Sequence, residues 1–188
     1  MKADRADEFL QLLLPIEAEL QHFVRRMVWD ENDLPDALNN GLLKAVANFD
    51  RYQRGASFKA WMLAILTGEI FTLNRRYHRI ASREFQMEPE EIEALPAPSE
   101  APLAETAPGA LSGVEDQMDE ALSEALKSLS DAERAVLLLR SLQGFKYREI
   151  SETLNMPIGS VMAYLSRARH KMRLLLQRRG WTQKENKP

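Results

Sequence analysis

The sequence predicts an all-α protein of two small helical bundles joined by an acidic, proline-rich linker, and three observations predict it. Apolar residues recur at spacings of three and four on both sides of residue 85, with no alternating run of β-branched residues that would mark a strand. Five prolines, Pro89, Pro96, Pro98, Pro102 and Pro108, fall in one stretch of small and acidic residues, removing backbone donors and fixing φ. Charge is segregated in step with that division. Lys44 to Arg83 carries eight Lys or Arg against Asp50 and Glu69, Glu84 to Glu120 carries eleven acidic residues and no basic one, and Val161 to Pro188 carries eight basic residues against Glu185. The expected divisions are an N-terminal bundle over 1–84, a linker over 85–116, a C-terminal bundle over 117–180 and a polar tail over 181–188.

In the N-terminal bundle the pattern predicts a helix from Phe9 to Val28, bent or restarted near Pro15, where the ladder loses a donor. A second follows from Asp36 to Asn48 and a long third from Phe58 to Tyr77. The polar run Asp50-Arg51-Tyr52-Gln53-Arg54-Gly55-Ala56-Ser57 is the loop before the third, with Gly55 free to take positive φ. Phe58 and Trp61 lie at helical spacing from Ile65 and are expected in the core. In the C-terminal bundle Met118 to Leu126 is expected to be helical. Ser130-Asp131-Ala132-Glu133 has capping-box spacing, opening a helix that runs to about Leu142 and stops at Gly144. Tyr147 to Leu154 and Ile158 to about Arg178 complete the bundle.

Composition narrows the function. Apolar residues make up 45% of the chain, enough for real cores, and there is no cysteine for a disulfide or a thiolate metal site. The N-terminus lacks the basic start and small-residue cleavage site of a signal peptide, and no run approaches the roughly 20 apolar residues of a membrane span. A cytoplasmic protein without membrane contact is expected. His22, His78 and His170 have no ligand partners at useful spacing, and no Ser/His/Asp or Cys/His constellation is apparent. Neither enzyme activity, nor a metal, nor a cofactor is expected.

The stretch from Tyr147 to Leu176 carries the strongest functional signal. A short helix, a turn of about four residues and a second helix with a basic exposed face form a helix-turn-helix plan. Ile150 and Leu154 share one face of the first helix, and Val161, Leu165, Ala168 and Met172 share one face of the second. Asn155 tolerates a left-handed turn, and Pro157 suits the start of the new helix. The opposite face then shows Ser160, Met162, Ala163, Ser166 and Arg167, small enough for a major groove, with Arg167 able to make a two-pronged contact to guanine. Arg169, Lys171 and Arg173 are candidate phosphate contacts. An amphipathic helical hairpin whose basic end complements its own dipole is the purely structural alternative.

The segment LSDAERAVLLLRSLQGFKYREISETLNMPIGSVMAYLSRARHKMRLLL resembles the fourth-region domain of bacterial sigma factors, particularly the extracytoplasmic-function class. The segment DLPDALNNGLLKAVANFDRYQRGASFKAWMLAILTGEIFTLNRRYHR is similar to the second-region domain of the same family. The resemblance implies a non-enzymatic protein that binds core RNA polymerase, recognises two promoter elements and helps to open the duplex. Asp36, Asn39, Asn40 and Leu43 align with the surface that packs on the polymerase clamp. The loop from Asp50 to Ser57 aligns with one that captures a base turned out of the minus-ten element, which assigns Arg51, Tyr52, Arg54, Ser57 and Lys59 to that element. Asn74, Arg75, Arg76 and Arg79 would follow the phosphates of the separated strand. Ser160, Met162, Ala163, Ser166, Arg167, Arg169 and Lys171 would meet the minus-thirty-five element as duplex, and the acidic tether would lie in the basic RNA path of the polymerase. Asn39 and Asn40 stand where the family usually has Gln and an acidic residue, and Gly68 and Thr72 replace its usual Asn and Asp. Met162 and Tyr164 replace common Lys or Arg positions, which favours apolar contact with thymine methyl groups. An anti-sigma protein is a further implied partner. The rivals are a stand-alone helix-turn-helix regulator and a sigma-like decoy that captures an anti-sigma protein.

Overall fold

The computed structural model describes residues 3–84 and 116–178, and the chain divides into two compact units, Met1–Thr106 and Ala107–Pro188. Of the expected linker over 85–116, residues 85–115 lie outside the described residues, as does the tail over 181–188, while Asp116 opens a helix. Among the described residues there are eight α-helices and no strand.

The first unit holds α1 (Ala3–Leu13), α2 (Glu17–Met27), α3 (Leu34–Asn48) and α4 (Phe58–Glu84). The single bent helix expected from Phe9 to Val28 is therefore two helices joined by a one-turn 3-10 segment, Leu14–Ile16, with Pro15 in its first turn. A proline costs least there, because first-turn donors have no partner in any case. α1 begins at Ala3 rather than Phe9, and α4 runs on to Glu84 rather than ending at Tyr77.

Phe23, Val24 and Met27 of α2 and Met62, Leu63, Leu66 and Ile70 of α4 are fully or almost fully buried. The inner face of α3 is Ala37, Gly41 and Ala45, spaced by four, so α3 itself turns nothing larger than a methyl toward α4. A Cβ on Gly41 would collide with Leu66 Cδ2. Below this layer Phe9, Phe49, Tyr52, Phe58 and Trp61 form an aromatic cluster, with Phe9 edge-on to Phe49 at 5.2 Å and to Phe58 at 5.6 Å. Phe58 is buried and Trp61 half-buried, as the helical spacing predicts.

Gly68, by contrast, is exposed on α4 with nothing near a would-be Cβ. Gly68→Ala is therefore expected to stabilise the unit by about 1 kcal/mol, through helix propensity and a less disordered unfolded chain. A higher midpoint in thermal unfolding is the measurement.

The second unit holds α5 (Asp116–Lys127), α6 (Asp131–Ser141), α7 (Tyr147–Leu154) and α8 (Ile158–Arg178), with α8 packed on α5, α6 and α7. The capping box at the start of α6 is complete: the Glu133 amide donates to Ser130 Oγ at 3.3 Å, and the Ser130 amide donates to Glu133 Oε2 at 3.0 Å. Gly144, at φ 72°, reverses the chain after α6, and the Gln143 amide closes on the Leu138 carbonyl at 3.1 Å. Asn155 takes the left-handed conformation between α7 and α8, at φ 48° and ψ 51°, while the Met156 amide returns to the Ser151 carbonyl at 3.0 Å. Pro157 sits just before α8, and its carbonyl accepts from Val161 at 3.2 Å. Ile150, Val161, Leu165, Ala168 and Met172 are buried, as expected, with Leu154 half-buried.

Candidate nucleic-acid interface

The buried seam of α8 fixes which side chains face outward. Met162 is 47% exposed and Ile158, one turn earlier, 45%. Arg167, Lys171 and Arg173 are exposed, while Ser160, Ala163, Ser166 and Arg169 are half-buried. Two of the cations are not free. The Arg167 guanidinium carbon lies 4.8 Å from the centroid of the Tyr164 ring, within cation–π range. Its Nε faces Glu133 Oε1 at 3.5 Å, and Lys171 Nζ donates to Glu133 Oε2 at 2.8 Å. Lys171 thus meets a carboxylate of its own domain, where the sequence suggested only a phosphate contact. Glu133 itself is buried. Burial pushes its pKa up, but the Lys171 ammonium and the Ser130 amide outweigh this and hold it below the usual carboxylate range.

In the first unit, Tyr52 is half-buried and stacks almost parallel on Phe49 at 5.8 Å, while its hydroxyl donates to the Ala56 carbonyl at 2.7 Å. The ring that the resemblance assigns to the minus-ten element closes the loop on the aromatic cluster. Gly55, at φ 95°, makes the turn inside that closure. Ser57 Oγ accepts from the Ala60 amide at 3.2 Å, capping the start of α4. Arg54 makes a two-pronged contact to Glu8 of α1, both distances 2.7 Å, Lys59 pairs with Glu19 of α2, and Arg51 is exposed.

Asn74 requires a correction. It is fully buried, and its Nδ2 donates to the Met27 carbonyl at 3.2 Å, so it ties α4 to the C-terminal end of α2 and cannot face a DNA strand. Arg75 is exposed on the same helix but folds back along it, its Nε donating to the Phe71 carbonyl at 3.1 Å. The side chains of Arg76 and Arg79 lie outside the described residues.

On α3 the structure brings Asp36, Asn39, Asn40 and Leu43 together on one exposed face, with Leu43 68% exposed. Val46, 37% exposed, extends that face by one turn. Val46 and Ile158 were missed in the sequence, although continuing each helical spacing by three or four would have found them. The role of Glu133 toward α8 was missed as well, because its partners lie 34 and 38 residues away.

The model for sigma-70 region 2 matches residues 16–80, and the model for sigma-70 region 4 matches residues 119–172. The chain is 26% identical over 164 residues to the ECF RNA polymerase sigma factor EcfG of Rhodopseudomonas palustris, covering 87% of this chain and 82% of that protein. It is 27% identical over 148 residues to the ECF sigma factor SigE of Mycolicibacterium smegmatis, covering 79% of this chain and 53% of that protein. Among solved structures it is similar to the sigma factor RpoE bound to the anti-sigma factor NepR from Bartonella quintana. That match has a TM-score of 0.68 and 26% identity, covering 90% of this chain and 97% of the other. CnrH, solved with the cytosolic domain of CnrY, shares the fold, with a TM-score of 0.61 and 20% identity over 94% of this chain and 90% of the other.

Proposed function

The chain belongs to the extracytoplasmic-function group of the sigma-70 family, and we propose that it binds core RNA polymerase and directs promoter recognition, duplex opening and transcription initiation without catalysing a reaction. What supports this most is that both family regions occur in one chain, in the family's order, each with an outward face suited to its task. α3 presents Leu43 and Val46 among Asp36, Asn39 and Asn40 as an apolar centre with a polar rim, the make-up of a protein-docking surface. α8 presents small, apolar and cationic side chains to a major groove.

At the minus-ten element, Tyr52 shapes the base-capturing loop, and Arg51, Arg54, Lys59 and Arg75 supply positive charge. Arg54 and Lys59 exchange a carboxylate for a phosphate as the strand arrives. The exchange costs little, because ion pairs at the surface are worth about 0–1 kcal/mol in water. At the minus-thirty-five element, Arg167 addresses guanine, and Met162 with Ile158 addresses thymine methyl groups. An anti-sigma protein is a further partner under this reading, since the RpoE structure that the chain resembles holds one. No helix among the described residues is long and apolar enough to cross a membrane.

Transcription in vitro with purified core enzyme is the test. Transcripts that require both the chain and core enzyme are expected. Duplex binding without core would favour a stand-alone regulator, and capture of an anti-sigma protein with neither activity would favour a decoy. Within the same assay, Arg167→Ala should cost about 1–3 kcal/mol of discrimination at one base pair of the upstream element. Competition between matched and singly altered duplexes measures it, and equal discrimination by both proteins would remove Arg167 from this role.

A further inference from the structure

We propose that Glu133 is a positioning residue for base reading, holding the Arg167 guanidinium by its Nε edge while Tyr164 holds its face, so that the terminal nitrogens are aimed at one guanine before DNA arrives. This rests on the minus-thirty-five role proposed for α8 and adds to it a residue from a different helix. Glu133 is on the first turn of α6, not on the reading helix, and it is buried. Its two carboxylate oxygens divide the work. Oε2 accepts from the Ser130 amide at 3.0 Å and from Lys171 at 2.8 Å, and Oε1 faces Arg167 Nε at 3.5 Å.

Capping alone does not call for this arrangement. Glutamine at the third helical position reaches back to the cap amide as glutamate does, so α6 needs the side-chain length and one oxygen but not the charge. The charge is what the two cations of α8 meet. Arginine is a long side chain with many rotamers, and a two-pronged contact to guanine demands one plane and one direction. An arginine held on its Nε edge by a buried carboxylate and on its face by an aromatic ring has lost most of that freedom in advance, so less is lost on binding. Lys171, anchored to the other oxygen, keeps the carboxylate turned toward α8.

The experiment uses holoenzyme assembled from the full chain and core polymerase, offered a pool of duplexes randomised across the upstream element. Wild type, Arg167→Ala, Glu133→Gln and Tyr164→Leu are compared by the base preferences each selects. The expected result is a guanine that wild type selects and Arg167→Ala does not, with the preference at that position alone reduced about tenfold in Glu133→Gln and reduced also in Tyr164→Leu. Because Tyr164→Leu leaves the cap of α6 untouched, it carries the test even where Glu133→Gln lowers the melting temperature. Retention of the guanine preference in both variants would overturn the positioning role and leave the DNA-reading role of α8 standing. An equal loss of preference at every position would make Glu133 merely structural and overturn it too. If wild-type holoenzyme selects no sequence at all, the proposed function fails, and this role fails with it.

Discussion

Arg134→Ala is expected to unfold the C-terminal unit. Arg134 is completely buried, and its Nε donates to the Leu126 carbonyl at 2.9 Å, close to the C-terminus of α5. Carbonyls in a last helical turn have no partner within the helix, so a donor from the neighbouring helix joins the end of α5 to the start of α6. Burial lowers the Arg134 pKa to about 10, opposed in part by the nearby Asp131 carboxylate. The guanidinium is therefore still protonated at neutral pH. Truncation to alanine empties a large volume, a recognised route to a loss of several kcal/mol, and removes the charged donor of the Leu126 carbonyl, which keeps only the Leu129 amide at 3.1 Å. About 3–5 kcal/mol is expected, against a total of roughly 5 kcal/mol for a domain of this size. Loss of the corresponding unfolding transition, followed by circular dichroism, is the measurement. Arg134→Met keeps most of the volume and is expected to retain that transition at a lower midpoint. A wild-type melting profile for the alanine variant would mean that the guanidinium contributes nothing net.

Leu43→Asp is expected to weaken binding to core polymerase by about 2 kcal/mol or more, roughly thirtyfold, without unfolding the first unit. The two effects separate because Leu43 is 68% exposed, and exposed substitutions usually shift stability by less than about 0.5 kcal/mol. On docking, an aspartate at the centre of the face would lose its water without gaining a counter-charge. Titration of fluorescently labelled chain with core enzyme gives the Kd. An unchanged Kd for a folded variant would move the polymerase contact off α3.

What the sequence disclosed and what it withheld divide along a physical line. The restart near Pro15, the Ser130–Glu133 capping box, the stop at Gly144 and the left-handed Asn155 were all legible, because each is a contest among neighbours in the chain. Asp36, Asn39, Asn40 and Leu43 were grouped by the family resemblance alone, and the structure sets them on one exposed face of α3. Pairings across the chain were not legible. Asn74 reads as one more polar residue on a basic helix, and only the arrival of the Met27 carbonyl 47 positions away makes it part of the core. Charge counts along a segment likewise report net sign but not partners. Arg54, Lys59 and Lys171 each counted as available positive charge, yet Glu8, Glu19 and Glu133 come from other helices to meet them. Helix lengths at α1 and α4 were underread because polar terminal turns carry little apolar periodicity.

The seam of Ala37, Gly41 and Ala45 lets Leu66 of α4 seat directly on the α3 backbone at Gly41, with no long side chain of α3 between the two helices. The two helices therefore behave as one stiff beam: whatever grips the outer flank of α3 also sets the heading of α4. Seating the chain on a large partner would aim its far basic end with no hinge to adjust, so aim at the nucleic acid is inherited from the mounting.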